Sequence, residues 1–273
     1  TPSNLLQRYW NEGCAFVARQ NSVDTDPTRI QCEIADTDED LNWENQSFVI
    51  SPDGKGFSFK IGNLCDATYG SETNTLRLRF QAPEMDYPNN MHLDKSAVEA
   101  LRFFAVTKAA LTQKGLSIHS ALGVRDGVGI LFPGASGKGK STLSQDFVTV
   151  YGQADDVAII RHEEGEQSLT VGPCITRKKT WANVTQIQNA KLKAIVFLEQ
   201  SSDQTVIERI GPQEALNRII SEVIEYSRQP VVISKMLKFL DEMITQTPCF
   251  VLQRSLHDKT ADEIFNDVLQ KVK

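Results

Sequence analysis

The chain has 273 residues, of which 40% are hydrophobic and 23% charged, and it carries a formal net charge of −6. This composition is typical of a globular protein with a hydrophobic core, and the acidic balance argues against a general nucleic-acid binder. No apolar run reaches the length of about 18 residues needed to cross a membrane, and the first ten residues lack the order of a signal peptide. The five cysteines are scattered without a C-x-x-C pair, which favours reduced thiols over a zinc site. We therefore expect a cytoplasmic protein that binds neither nucleic acid nor a membrane.

Residues 1–92 are predicted to form a β-rich region that packs onto the rest of the chain. The segment Asp24–Glu44 is acidic and is interpreted as a solvated loop, because a calcium-binding loop would need a glycine that this segment lacks. The residues Ser51–Gly54 predict a turn. Alternation of apolar and polar residues predicts three strands: Phe48–Ile50, Gly56–Ile61 and Thr75–Phe80.

Residues 93–273 are predicted to mix helices and strands. Apolar residues at helical spacing predict a helix over 96–114, which Gly115 is expected to end. Three further helices are expected near residues 213–226, 234–246 and 261–272, and the apolar stripe of the last one is expected to pack against the core. Short apolar runs predict four buried strands: Leu116–Val124, Gly127–Phe132, Val157–Ile160 and Ala194–Leu198.

The segment Gly134–Thr142 reads GASGKGKST and fits the phosphate-binding pattern G-x-x-x-x-G-K-[ST]. Glycines let the backbone curl so that successive N–H groups point at phosphate oxygens, and the helix that follows adds the positive end of its dipole. Lys140 is expected to bridge the β- and γ-phosphates of ATP, and the hydroxyl of Ser141 to hold Mg²⁺. The predicted strand before the loop and a predicted helix over Lys140–Val150 argue against a simple surface turn. The predicted nucleotide contacts are Gly134, Ala135, Ser136, Gly137, Lys138, Gly139, Lys140, Ser141 and Thr142.

An acidic pair, Asp155 and Asp156, follows the loop just before a predicted strand. A phosphoryl-transfer site needs one carboxylate that helps to hold Mg²⁺ and one that accepts the proton of an attacking hydroxyl, and adjacent aspartates at a strand edge can divide these tasks. The alternative is a turn with solvated acids. His119 lies on the preceding predicted strand and comes beside the phosphate site if the two strands pair; otherwise it is a packed or surface residue.

Several nucleotide-binding classes are excluded by missing motifs. The sequence has no N-K-x-D guanine-binding motif, no L-S-G-G-Q transporter signature and none of the protein-kinase motifs H-R-D and D-F-G.

Three segments together resemble the bacterial HPr kinase/phosphorylase family, whose nucleotide-binding core is shared with phosphoenolpyruvate carboxykinase: Ser117–Ser120, Gly127–Thr142 and Gly152–Val157. The resemblance covers roughly residues 96–273 and implies an α/β fold with a mixed β-sheet P-loop core. It implies that Lys140 and Ser141 are the phosphate lysine and the Mg²⁺ ligand. It also implies that Asp156 is the proton acceptor with Asp155 beside it, and that His119 is an active-site histidine.

The sequence departs from this family at two places. The family follows its loop serine with glutamate, where this chain has Thr142. Its signature L-E-x-R-G-L-G, which supplies a Mg²⁺-binding glutamate, is replaced by Leu169–Cys174. The family's catalytic arginine has two candidates here, Arg177 and Arg228.

The leading hypothesis is an ATP- and Mg²⁺-dependent kinase that phosphorylates a serine-like hydroxyl on a protein, peptide or small molecule. The alternative is a catalytically inactive nucleotide-binding regulator or scaffold. A third hypothesis is a small-molecule kinase or carboxykinase-like enzyme, in which Arg177, Lys178 and Lys179 converge on a polar pocket. The resemblance also leaves a homo-oligomer open, because a hexamer is typical of full HPr kinases.

Overall fold

The computed structural model describes residues 29–36, 46–52, 54–82, 91–112, 114–135, 137–147, 151–154, 157–162, 168–173, 190–201, 203–255 and 258–272. These residues form a mixed α/β fold with two mixed sheets. The chain divides into two compact units, Thr1–Ala105 and Val106–Lys273. The division into residues 1–92 and 93–273, and the packing of the first part on the second, stay predictions.

The first unit contains a sheet with the strand order β1-β5-β4-β3-β2. Strand β1 is parallel to β5, whereas the other neighbours are antiparallel. The strands predicted over 48–50, 56–61 and 75–80 are confirmed, and so is the turn between the first two, where the N–H of Gly54 donates to the carbonyl of Ser51 at 2.8 Å. The strands are β1 (Arg29–Asp36), β2 (Ser47–Ile50), β3 (Gly56–Ile61), β4 (Cys65–Gly70) and β5 (Thr75–Ala82).

The interpretation of Asp24–Glu44 as a solvated loop is wrong for its central part, which is strand β1. Every residue of β1 has a register partner on β5, from Arg29 opposite Thr75 to Asp36 opposite Ala82. The backbone pairing with β5 outweighs the acidic composition of the segment, since each ladder hydrogen bond satisfies a peptide group.

Helix α1 (Met91–Leu111) brings aromatic side chains to the core of the first unit. The ring centroid of Phe103 lies 4.4 Å from that of Phe59, and the centroid of Phe104 lies 5.1 Å from that of Tyr69. Aromatic pairs at these separations stabilise a core beyond the area they bury. The division between the two compact units falls within this helix.

The second unit is built on a larger sheet with the order β10-β9-β6-β7-β11-β13-β12. Strand β8 pairs with β6 beside β9, and β10 also pairs with β11, which closes this part of the sheet on itself. Strands β7, β11 and β13 are parallel neighbours, so their carboxyl ends meet at one edge of the sheet. The strands are β6 (Gly115–Arg125), β7 (Val128–Pro133), β8 (Tyr151–Ala154), β9 (Val157–His162), β10 (Leu169–Pro173), β11 (Ala190–Gln200), β12 (Val206–Ile210) and β13 (Cys249–Arg254).

The role predicted for Gly115 is wrong. Helix α1 ends at Leu111, where the hydroxyl of Thr112 donates to the carbonyl of Lys108 at 2.8 Å, and Gly115 is the first residue of β6. A Cβ at Gly115 would lie 2.6 Å from the carbonyl oxygen of Ile160. Glycine is therefore needed because strand β9 approaches closely, and not because a helix ends there.

Helices cover the larger sheet, and two of them differ from the prediction. The helix predicted over 140–150 ends at Gln145. The helix predicted near 213–226 ends earlier, in a 3₁₀ turn, because the backbone of Val223 is extended and pairs with Ile118. The helices are α2 (Lys140–Gln145), α3 (Pro212–Ile219), the 3₁₀ helix Ile220–Glu222, α4 (Pro230–Gln246) and α5 (Ala261–Val272).

Helices α2 and α5 share one hydrophobic cluster with the sheet. Leu143 of α2 is buried against the same group as Phe265 and Val268 of α5, together with Phe132 of β7 and Phe250 of β13. The prediction that the apolar stripe of residues 261–272 packs against the core is confirmed. Within the ranges given above, no helix combines the length and the apolar character that a membrane span requires.

Candidate functional site

The glycine-rich loop lies between a buried strand and a helix. Strand β7 ends at Pro133, and α2 begins at Lys140. Between them, Gly137 and Gly139 have φ values of 85° and 92°, a region that side chains with a Cβ rarely adopt. The described residues therefore follow the order strand, glycine-rich loop and helix that the sequence predicts.

Buried residues hold the loop at both ends. Leu143 has no exposed surface, which anchors α2 on the sheet one turn after the loop. The N–H of Gly134 donates to the carbonyl of His119 at 3.4 Å, and the N–H of Lys138 donates to the carbonyl of Ala135 at 3.4 Å. The loop is therefore tied to β6 at its start and to the hydrophobic core at its end.

Lys140 is the buried cation of this loop. Its side chain belongs to a residue that is only 5% exposed, and its amino group donates to the carbonyl oxygens of Gly134 and Ala135, the latter at 2.9 Å. A lysine ammonium carries three donors, so it can exchange carbonyl partners for phosphate oxygens without losing its hydrogen bonds. The amine thus lies at the loop, where a phosphate-bridging lysine has to be.

The other predicted contacts in the loop differ in exposure. Ser141 and Thr142 are exposed in the first turn of α2, where a hydroxyl can reach a metal ion or a phosphate oxygen. The backbone of Gly137 accepts a hydrogen bond from the side-chain amide of Gln200 at 3.5 Å. Ser136 lies outside the described residues.

His119 lies beside the start of the loop, on the central strand β6. Its neighbour Ser120 is the register partner of Pro133, the last residue before the loop, and His119 itself is opposite Val157 of β9. Adjacent strands are about 4.8 Å apart, so the start of the loop and the start of β9 lie about 10 Å apart on opposite sides of β6. The strand of His119 therefore pairs with the strand that leads into the loop, which is the arrangement that would bring His119 beside the predicted phosphate site.

The imidazole of His119 contacts a carboxylate. Its Nδ1 lies 3.1 Å from Oε2 of Glu222, whose side chain is about 10% exposed and also accepts from the hydroxyl of Ser221. Glu222 ends the 3₁₀ helix, and the bridge between Val223 and Ile118 fixes this segment beside β6. A buried carboxylate held in this way orients the imidazole ring.

Asp155 and Asp156 lie outside the described residues, but the residues on either side of them are described. Ala154, the last residue of β8, is the register partner of Leu122, and Val157, the first residue of β9, is that of His119. Both flanks of the acidic pair are therefore held by β6, the strand that also holds the start of the loop. The Mg²⁺ ligand set of Ser141 with Asp155 and Asp156 stays a prediction.

On the other side of the loop, charged side chains follow the carboxyl ends of β11 and β13. Glu199 accepts from the guanidinium of Arg218 at 2.7 Å, and this hydrogen bond lowers the pKa of the Glu199 carboxyl. Arg254 donates to Asp146, the residue that follows α2, at 2.5 Å. These pairs lie at the edge of the sheet where open α/β proteins bind ligands.

The candidates for a catalytic arginine have different outcomes. Arg177 lies outside the described residues, as do Lys178 and Lys179. Arg228 is exposed in a turn with φ of 52°, and its N–H donates to the carboxylate of Glu225 at 2.7 Å. Both assignments stay predictions.

Three residues near the loop were missed by the sequence analysis: Glu222, Gln200 and Arg254. Glu222 is 103 residues away from His119 along the chain, and no motif surrounds it. Gln200 and Arg254 could have been found as the last residues of two parallel strands, but the strand ending at Arg254 was not predicted.

Replacing Gly139 with alanine tests the conformation of the loop. A Cβ at Gly139 meets no atom within 4 Å, so the cost is backbone strain of about 1–2 kcal/mol. Gly127, with φ of 74° in the turn between β6 and β7, also has open space and is a matched control. We expect both variants to lose similar stability in urea unfolding, and only Gly139→Ala to weaken ATP binding in calorimetry, by about tenfold or more. Equal ATP affinity of the two variants would contradict this prediction.

Comparisons with known proteins give a family and a distant likeness to solved structures. The sequence model described as "SynChlorMet cassette protein ScmC" matches residues 95–270. Among solved structures, the chain is similar to the Hpr(Ser) kinase/phosphatase from Coxiella burnetii, with 12% identity and a TM-score of 0.34. The matched region covers 57% of this chain and 88% of that one. No curated protein matches the chain.

Proposed function

The chain belongs to the family described as SynChlorMet cassette protein ScmC, and from this premise we propose that it is an ATP- and Mg²⁺-dependent phosphotransferase with an HPr kinase-like P-loop core. The observation that carries the proposal is the loop Gly134–Gly139 between a buried strand and α2, with the amine of Lys140 held against its carbonyls. This constellation suits a polyphosphate.

The reaction uses residues on both sides of β6. The backbone amides of the loop and the ammonium of Lys140 bind the β- and γ-phosphates and stabilise their charge. The acceptor hydroxyl attacks the γ-phosphorus and its proton passes to Asp156, while the bond to the β–γ bridging oxygen breaks and ADP leaves. Ser141 and Asp155 are the residues that would hold Mg²⁺, which shields the phosphate charge when bound.

We place His119 at the side of the transferring phosphate, with Glu222 as the residue that orients it. In the tautomer that the reaction requires, Nδ1–H donates to the carboxylate of Glu222, and Nε2 is the nitrogen that would face the phosphates. The acceptor carries a serine-like hydroxyl. The family description names a cassette protein, so the first acceptors to test are the other proteins of that cassette.

Replacing Glu222 with alanine is expected to slow phosphotransfer by about 10- to 100-fold, by analogy with the removal of carboxylates that orient metal-bound histidines. ATP affinity should change less than about twofold, because Glu222 contacts no part of the loop in the described structure. Glu222→Gln, which retains an acceptor oxygen, should recover part of the rate. Glu208→Gln, at an exposed position on β12, is the control. If Glu222→Ala lowers the phosphotransfer rate and the ATP affinity by the same factor, the role of Glu222 is purely structural.

The proposed function is tested by incubating the full chain with γ-labelled ATP, Mg²⁺ and each candidate acceptor. Transfer of label to an acceptor supports it. The alternative function is an inactive nucleotide-binding regulator. It is favoured by the absence of two glutamates of the HPr kinase family, because this chain has Thr142 in place of the first and the stretch Leu169–Cys174 in place of the signature that supplies the second. Tight ATP binding without transfer to any protein, peptide or metabolite would select that alternative.

A further inference from the structure

A polar cavity lies at the carboxyl end of β13, beside Asp146, the residue that follows α2. Its volume is about 380 Å³, within the range of small-molecule sites. It is lined by Asp146, Arg254, Asp258, Lys259, Thr260 and Glu263. The mechanism above uses none of these residues.

The strand order connects this cavity to the phosphate-binding loop. Gln200, at the end of β11, donates to the carbonyl of Gly137 in the loop, and its register partner on β13 is Arg254. Arg254 in turn donates to Asp146, one residue beyond α2. The loop and the cavity are therefore separated by two strand spacings, or about 10 Å.

The charge of the lining suits an uncharged part of a ligand. Three carboxylates, Asp146, Asp258 and Glu263, line the cavity together with two cations, Arg254 and Lys259, so the lining carries a net formal charge of about −1. This balance disfavours phosphate, whereas ionised carboxylates accept hydrogen bonds from ribose hydroxyls. Hydrogen bonds from Thr205 lower the pKa of Asp258, so its carboxylate is ionised at neutral pH.

Arg254 is a lining residue of this cavity that the protein holds in place. Its side chain is 9% exposed, and in the described part of the chain its buried Nε has no hydrogen-bond partner. A guanidinium that is fixed at one end by Asp146 presents a planar face on which a purine can stack. The side chain is thus oriented by the protein while part of its hydrogen-bonding capacity is unused.

The two sides of the loop also differ in chemistry. His119 and the flanks of the acidic pair lie on the β6 side, so the terminal phosphate of a nucleotide belongs there. The opposite end of the nucleotide must then extend across β11 toward β13. We infer that the cavity lined by Arg254 binds the nucleoside of the nucleotide whose phosphates occupy the loop, an inference that rests on the proposed function.

Calorimetry with two ligands tests this inference. MgATP and magnesium tripolyphosphate both carry a chain of three phosphates, but only ATP carries a nucleoside. We therefore expect the wild type to bind MgATP at least about tenfold more tightly than magnesium tripolyphosphate. Arg254→Met should remove most of this difference and change tripolyphosphate affinity less than about twofold. Arg209→Met is the control. Arg209 is at an exposed position on β12, about 13 Å along the sheet from Arg254, and this variant should keep the difference in affinity between MgATP and tripolyphosphate.

Each other outcome of this experiment is decisive. Equal affinity of the wild type for both ligands, or an equal change of both affinities in Arg254→Met, would overturn the nucleoside site and leave the phosphate loop intact. Binding of neither ligand by the wild type would overturn the proposed function, and the inference with it.

A second measurement on the wild type does not depend on the folding of a variant. Photolysis with 8-azido-ATP, which carries its reactive group on the purine, should label a tryptic peptide that contributes to the cavity, and excess ATP should suppress the labelling. These peptides are Ser141–Arg161, Phe239–Arg254, Ser255–Lys259 and Thr260–Lys271. Specific labelling found only in other peptides would contradict the inference.

Discussion

Lys140→Met is expected to weaken MgATP binding by about 100-fold. The substitution keeps the length of the side chain and removes the ammonium that lies against the carbonyls of Gly134 and Ala135. Hydrogen bonds to charged groups contribute about 1.5–3 kcal/mol each, and a loss of about 3 kcal/mol corresponds to a factor of about 100 in Kd. Calorimetric titration of the full chain measures this change.

The fold should survive this substitution. Gly134 is half-buried and Ala135 exposed, so water can replace the ammonium at their carbonyls. Lys193→Met, at an exposed position on β11, is the matched control and should bind MgATP like the wild type. If Lys140→Met binds MgATP with unchanged affinity, the loop does not bind the nucleotide through its phosphates.

Asp156→Asn is expected to reduce phosphotransfer by about 10²- to 10⁴-fold, the range that a general base contributes. Asparagine has nearly the same shape but cannot accept the proton of the attacking hydroxyl. Because the base acts on the acceptor and not on the nucleotide, Kd for MgATP should change less than about threefold. Rates of ADP release and of label transfer to the acceptor measure the effect.

Two outcomes would revise the role of Asp156. Equal phosphotransfer by the wild type and Asp156→Asn would reject it as the base. A parallel loss of Mg²⁺-dependent ATP affinity would make it a metal ligand, the role proposed for Asp155. Asp241→Asn, at an exposed position on α4, controls for the loss of one negative charge.

The parts of the site that are local in sequence could be predicted from it. The loop between Gly134 and Ser141 is a continuous strand–loop–helix segment, and its glycines, lysine and apolar flanks each have a local physical reason. The helix over 261–272 was predicted for the same reason, because its apolar stripe repeats at the helical period.

Contacts between distant segments could not be predicted. The carboxylate that contacts His119 comes from Glu222, in a segment that was expected to be helical until residue 226. Nothing local indicates that Val223 leaves the helix, since the cause is its pairing with Ile118 on another element. Helix propensity is weak, and tertiary contacts override it.

Glycines and acidic residues each misled the sequence analysis once. Gly115 looks like a helix terminator, although the close approach of Ile160 explains it. The acids around Arg29–Asp36 look like a solvated loop, although a parallel partner on β5 makes the segment a strand. In both cases the deciding contact is with a segment more than 35 residues away.

The central claim is that the loop Gly134–Gly139 binds the phosphates of a nucleotide with the reacting groups on the β6 side. A crystal structure with a non-hydrolysable ATP analogue and Mg²⁺ tests it most directly. We predict that the amine of Lys140 moves from the carbonyls of Gly134 and Ala135 to the β- and γ-phosphates, with Asp156 facing the terminal phosphate. A structure in which the analogue binds elsewhere, or in which Asp156 points away from the terminal phosphate, would contradict the account.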